Sequence, residues 1–176
     1  MYLRRPRISD RVEFLALNRS SRVLHRSWVK PPVTPSQFDE FIRRSRQADV
    51  DTTLVCRLED GAIVGVFNLS QIFRRGLQSA YLGFYAGAAY AGHGYMRQGM
   101  QLLFRHVFET LKLHRVEANV QPQNARSINL IRRSGFRREG FSPRYLKVAG
   151  RWRDHERWAI TVEDWRRRRV SRRRQP

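Results

Sequence analysis

An α+β fold is predicted for this chain, and three observations carry the prediction. Apolar residues recur at helical spacing in some segments and alternate with period two in others. Two segment pairs read as hairpins, each closed by a glycine-containing turn. Between the hairpins lies one strand–loop–helix–strand unit rather than a regular repeat of such units.

Tyr2–Leu3–Arg4 reads as a short first strand. Ser9 or Asp10 suits the cap of a helix running to about Asn18, with Val12, Leu15 and Ala16 on its apolar face. Leu24, Trp28 and Val29 lead into Pro31–Pro32, which stops any helix. Thr34–Pro35 opens another helix, with Phe38, Phe41 and Ile42 at helical spacing. The period then changes to two. Leu54, Cys56 and Leu58 are expected to face inward, Glu59–Asp60–Gly61 turns the chain, and 62–69 returns as a strand. A further strand is expected over 79–85, a glycine-rich loop over 87–94, and a long helix over 96–113. Then follow a strand over 115–120, a short helix begun by Pro122 and Asn124 and ended by Ser134–Gly135, and a hairpin of 136–147 with 152–161.

The 176 residues suit one domain, expected over 1–165, with an arginine-rich tail over 166–176. Such a domain buries enough surface to fold without staples. A single cysteine excludes an internal disulfide framework and, with no apolar run long enough to span a bilayer and no apolar leader, predicts a cytoplasmic protein. Only Lys30, Lys112 and Lys147 among the 35 basic residues are lysine, and the net charge is +20. That charge fits an anionic partner such as rRNA, an acidic protein or a phosphorylated cofactor. Arg166–Arg169 and Arg172–Arg174 form either a solvated tail or an RNA contact. The five histidines show no metal-ligand spacing, no G-x-S-x-G elbow exists, and the four tryptophans read as core and sheet cover.

The stretch with chemistry is Leu82–Gly83–Phe84–Tyr85, followed after a loop by Gly92–His93–Gly94–Tyr95–Met96 and the long helix. Glycines let backbone N–H groups approach a ligand, and the helix N-terminus adds roughly half a positive charge, which together make a pyrophosphate cradle. A dinucleotide fingerprint would place its third glycine where Arg97 stands, and Glu117 lies mid-strand rather than at a strand end. A G-K-[ST] phosphate loop is absent.

Further segments are Val64–Gly65–Val66–Phe67, Leu113–His114–Arg115–Val116–Glu117, Gln121–Pro122–Gln123–Asn124–Ala125–Arg126–Ser127 and Ser134–Gly135–Phe136. Glu139–Gly140–Phe141, Tyr145–Leu146, Gly150–Arg151–Trp152–Arg153–Asp154–His155 and Asp164–Trp165 continue the series. In this order, over about 52–165, they resemble the GNAT superfamily of N-acetyltransferases, specifically the ribosomal-protein-alanine type known as RimJ/RimL and closest to its RimJ branch. The resemblance implies a mostly antiparallel mixed sheet flanked by helices, with a splayed strand pair at an acetyl-CoA site. It implies Phe84, Tyr85 and Ala86 along the pantetheine arm, and Gly92, His93, Gly94, Tyr95, Met96 and Arg97 at the pyrophosphate. Asn124 corresponds to a family asparagine at CoA and Ser127 to a serine near the thiol, although Asn124 and Ser127 also suit helix capping.

Direct attack of a neutral amine on the acetyl thioester needs positioning and a path for one proton. The family acid before Tyr145–Leu146 is Arg144 here, which departs from the pattern. Glu117 is the replacement base, with an arginine-paired strand carboxylate as the competing reading, and Ser127 is the acid to the leaving thiolate. Tyr145 and His155 stand in reserve. A site without a strong base favours an α-amine, whose pKa of about 7.7–8.0 leaves roughly a third neutral at pH 7.5, over a lysine at about 10.4. The expected partners are acetyl-CoA, a protein N-terminus of ribosomal type, and rRNA or the ribosome through the basic surface, with no metal and no membrane. Acetylation of a small amine such as an antibiotic or polyamine, and a non-catalytic RNA-binding role, are the alternatives.

Overall fold

A computed structural model describes the backbone of residues 1–173 and the side chains of residues 1–170. Seven strands form one sheet: β1 (Tyr2–Arg4), β2 (Asp51–Cys56), β3 (Ile63–Phe73), β4 (Ser79–Ala86), β5 (Arg115–Val120), β6 (Arg137–Val148) and β7 (Arg151–Thr161). Their spatial order is β1-β2-β3-β4-β5-β7-β6. Every pairing is antiparallel except β4 with β5. Their link is the one long crossover, which a parallel neighbour requires.

The helices are α1 (Arg11–Ser20), α2 (Arg22–His25), α3 (Pro35–Arg44), α4 (Tyr95–Arg105), α5 (Ala125–Ser134) and α6 (Val162–Arg173). The sheet separates two cores. On one side Met100, Leu103 and Phe104 of α4 and Ile131 of α5 bury against Phe67, Leu69, Val116, Ala118 and Ile160. On the other, Phe14 and Leu15 of α1 and Phe38 and Ile42 of α3 bury against Leu54, Cys56 and Val66. That second core lies over β2 and β3, with Tyr2 of β1 and Tyr85 of β4 at its edge, and the face of β5, β7 and β6 turned away from α4 carries no helix among the described residues.

Local chemistry explains most boundaries. Thr34 and Gln37 cap α3 reciprocally, with Pro35 at its first position. Gly135, at φ 111°, ends α5. The long helix expected over 96–113 is α4 followed by a π turn at His106–Thr110. Val107 and Phe108 of that turn are both buried in the core.

Three expectations are corrected. Val12 and Ala16 are exposed, and the buried face of α1 is Phe14, Leu15 and Asn18, whose amide donates to Pro32 O. Leu58 lies past the end of β2, in the turn, and is exposed. Trp152, at the tip of the last hairpin, is 61% exposed rather than covering the sheet. Residues Val162–Arg173 form α6, whose start Thr161 and Asp164 cap together. Trp165 packs against Phe108, and Arg169 lies over Trp165 while pairing with Glu109. The side chains of Arg172–Arg174 lie outside the described residues. No described helix is long and apolar enough to cross a membrane.

Candidate active site

β4 and β5 pair over three rungs only, Ser79–Arg115, Ala80–Val116 and Tyr81–Glu117. Beyond them β5 follows β7 to Val120, while β4 stays on β3 to Ala86, and the two part like a V. Gly87 N donates to Val64 O at 2.8 Å, so strand alternation turns the backbone of Phe84 and Ala86 into the opening. Tyr85 departs from its expected place. Its backbone faces β3, its ring packs on the α1–α3 core, and its hydroxyl is buried. Burial pushes that phenol's pKa well up.

Residues 21–28 tie the two arms of the V. His25 Nε2 lies 2.8 Å from Ala86 O, so Nε2 carries the proton, and Nδ1 has no partner. Ser21 Oγ accepts from Ala88 N at 2.8 Å. Gln121, at the end of β5, donates to Ser27 O at 3.1 Å. Burial lowers the pKa of His25, which keeps the ring neutral near pH 7.

The glycine loop leads directly into α4. Gly92 (φ 89°) and Gly94 (φ 80°) hold the left-handed conformation that favours glycine, and a Cβ at either would meet nothing within 4 Å. Arg97 N and Gln98 N both bond to Gly94 O, which leaves the N–H groups of Tyr95 and Met96 at the bare helix start. His93 stacks on Tyr95, and Tyr90 meets Tyr95 edge-on. The Met96 side chain is buried, so only its backbone faces a ligand here. Arg97 is exposed on the first turn. Arg57, which the sequence reading missed, lies 5.5 Å from the Tyr90 ring centroid, beneath the loop.

On the other wall Asn124 Oδ1 accepts from Ser127 N at 3.2 Å and caps α5. The cap uses the oxygen and leaves the amide NH2 free for a ligand. Ser127 is half-buried on the first turn of α5. A cavity of about 530 Å³ runs between Ala88, Ala91, Asn124 and Arg126 on these walls and Leu24 and Trp28 above them. Loop glycines, a bare helix start, unpaired strand groups and this cavity fit a long phosphorylated thioester. Among the described residues no cluster of His, Cys, Asp or Glu is arranged to hold a metal ion.

The opposite face of the V is polar. Glu117 sits in its last paired rung, half-buried, and accepts from Arg115 Nε at 2.8 Å; Arg115 also grips Glu139. Beside Glu117 in that rung is Tyr81, which the sequence reading missed. Its hydroxyl bonds to Tyr145, and with burial and the nearby Glu117 carboxylate this pushes its pKa up to about 12. Asn119 Oδ1, two residues along β5, is buried without a partner. Arg144 lies in the bulge of β6 at φ 48°, its N–H held by Asp154 Oδ1 at 2.7 Å. His155 Nδ1 lies 2.9 Å from Arg153 O. Period-two patterning held no signal for the parting of β4 and β5, which gives Tyr81 and Asn119 their setting.

The geometry is that of an acyl-CoA-binding transferase, and the comparisons agree. The family model described as Acetyltransferase (GNAT) domain matches residues 1–137, and the chain belongs to that family. The [ribosomal protein uS5]-alanine N-acetyltransferase of Escherichia coli K12 is 37% identical over 107 residues, 61% of this chain and 55% of that protein. The probable N-acetyltransferase YjcK of Bacillus subtilis is 37% identical over 105 residues, 60% of this chain and 58% of that protein. The chain thus spans little more than half the length of these curated relatives. Among solved structures, Mycobacterium smegmatis RimJ in complex with CoA-disulfide superposes with a TM-score of 0.85 and 26% identity, covering 98% of this chain and 88% of that one.

Proposed function

We propose that this protein transfers an acetyl group from acetyl-CoA to the α-amine of a protein N-terminus, with ribosomal proteins as the substrate class. The parting of β4 from β5 above the bare start of α4 is the observation that carries this reading. The N–H groups of Tyr95 and Met96, with Gly92, His93, Gly94 and Arg97, hold the pyrophosphate. Phe84 and Ala86 bond the pantetheine arm through their backbones, and the Asn124 amide contacts the same arm. An N–H at this point of β4 also stabilises the developing oxyanion, the kind of contact worth several kcal/mol in acyl transfer.

The acceptor enters from the other face, at the Tyr81–Glu117 rung. Transfer joins the amine nitrogen to the acetyl carbon, breaks the carbon–sulfur bond and releases one proton from nitrogen. Roughly a third of an α-amine is already neutral at pH 7.5. The ion-paired Glu117 therefore serves to receive that proton through water and to orient the amine, not to deprotonate an ammonium ion before attack. Ser127 donates toward the leaving thiolate. Residues 1–137 carry the transferase family match, and the rest of the sheet completes the acceptor face. The arginines from Arg166 onward serve the docking of a large anionic partner such as rRNA.

The test is CoA thiol release with three acceptors: a peptide beginning with free Ala, an N-terminally blocked peptide containing Lys, and spermidine. The reading expects turnover with the first. Turnover with spermidine alone supports the small-amine alternative, and no turnover with any amine supports a binding role.

A further inference from the structure

α1 and α3 close the acceptor face over β2 and β3 and leave it uncovered over β5, β7 and β6. A polypeptide whose amine reaches the Tyr81–Glu117 rung has those three strands to run out across. Their charges are uneven. Alternation along β7 sends Trp158 and Ile160 into the α4 core and Arg153 and Arg157 to the acceptor face. Arg137 stands opposite Ala159, which stands opposite Glu117, so Arg137 shares that face. The carboxylates of Glu117 and Glu139 are both bound to Arg115, and Arg137 lies 3.3 Å from Asp164. Arg144, Arg153 and Arg157 are exposed, and among the described residues no carboxylate lies within ion-pairing distance of them. The Arg157 guanidinium lies over Gly140, where a Cβ would come within 2.6 Å of it, so its charge rests on β6.

We infer that the acceptor of this enzyme carries acidic residues shortly after its N-terminal amine, and that Arg153 and Arg157 read them. The inference rests on the α-amine reading above and narrows it. Guanidinium groups bind carboxylates with two parallel hydrogen bonds, which gives geometry as well as attraction. A lysine- or arginine-rich acceptor, or a polyamine, meets repulsion at the same place.

The test uses three peptides with the same free N-terminal Ala and Gly, followed by two Glu, two Gln or two Arg. Each is followed by CoA thiol release, with mass spectrometry to confirm acetyl on the α-amine. At low ionic strength kcat/KM is expected to fall in the order Glu, Gln, Arg, with about tenfold between the extremes, as two exposed ion pairs allow. The spread shrinks at about 0.5 M salt, where exposed charges are screened. The double variant R153E/R157E is expected to erase or invert the order. Equal rates for the three peptides, or a preference for Arg, with acetyl still on the α-amine, overturns this inference and leaves the α-amine reading intact. No α-amine acetylation of any peptide, with turnover of spermidine, overturns both.

Discussion

Replacing Gly94 by alanine separates the ligand-binding role of the loop from its conformational role. Gly94 sits at φ 80°, and an added Cβ meets no protein atom within 4 Å. The stability loss is therefore conformational alone, about 1–2 kcal/mol for an alanine held left-handed. At this chain length each kcal/mol lowers the melting midpoint by about 2–4 °C. Gly150 is the control. It turns the β6–β7 hairpin at φ 82°, also with nothing within 4 Å of its Cβ position. The two alanine variants are expected to lose similar stability. Only G94A places a methyl where the pyrophosphate must approach the Tyr95 and Met96 N–H groups. Loss of one charge-assisted hydrogen bond costs about 1.5–3 kcal/mol, so KM for acetyl-CoA should rise about tenfold to a hundredfold. Differential scanning fluorimetry and thiol-release kinetics measure the two effects. If G94A raises that KM no more than G150A does, the loop is not the phosphate cradle and the site assignment fails.

Other outcomes follow from the same geometry. E117Q should lower kcat/KM by about tenfold or less and keep an ascending pH profile set by the amine near pH 8, whereas a drop of about a thousandfold would show that Glu117 must deprotonate the ammonium form itself. Y81F and Y145F should each slow acceptor turnover without changing KM for acetyl-CoA, and the double variant should cost less than their sum; additive losses would deny that the two hydroxyls work as a pair. Burial lowers the pKa of His25 below its unfolded value, so between the two values the unfolded chain binds more protons and stability falls as pH drops below about 6.5. H25N keeps a donor for Ala86 O but does not titrate, and its melting midpoint should fall less steeply between pH 7 and pH 5 than that of the parent. N124A should cost about 1 kcal/mol through loss of the α5 cap and should weaken acetyl-CoA binding; a stability loss with unchanged binding would confine Asn124 to capping.

What could be read from sequence was set by local chemistry. The cap at Thr34, the glycine stop at Gly135 and the alternation of β5 act within a few residues of themselves, and each appears where those residues place it. The glycine loop was legible because Gly92 and Gly94 needed a backbone conformation that few other residues adopt. Features set by distant partners were not legible. Val12 faces solvent because the angle of α1 is fixed by Phe38 and Pro32, far along the chain. Tyr85 reads as one more residue of a ligand-facing strand, yet pairing with β3 turns its backbone away from the opening. Arg166–Arg169 looked like the start of a tail, but Thr161 and Asp164 begin a helix before them and Trp165 anchors it. Arg157 was invisible as an acceptor contact, since its role depends on which strands α1 and α3 leave uncovered.

The most direct test of acetyl transfer to an α-amine uses one peptide with a free N-terminal Ala and one internal Lys, incubated with acetyl-CoA near pH 7.5 and sequenced by tandem mass spectrometry. The account predicts one acetyl group, on the Ala nitrogen. Acetyl on the Lys side chain with the Ala nitrogen unmodified would contradict it.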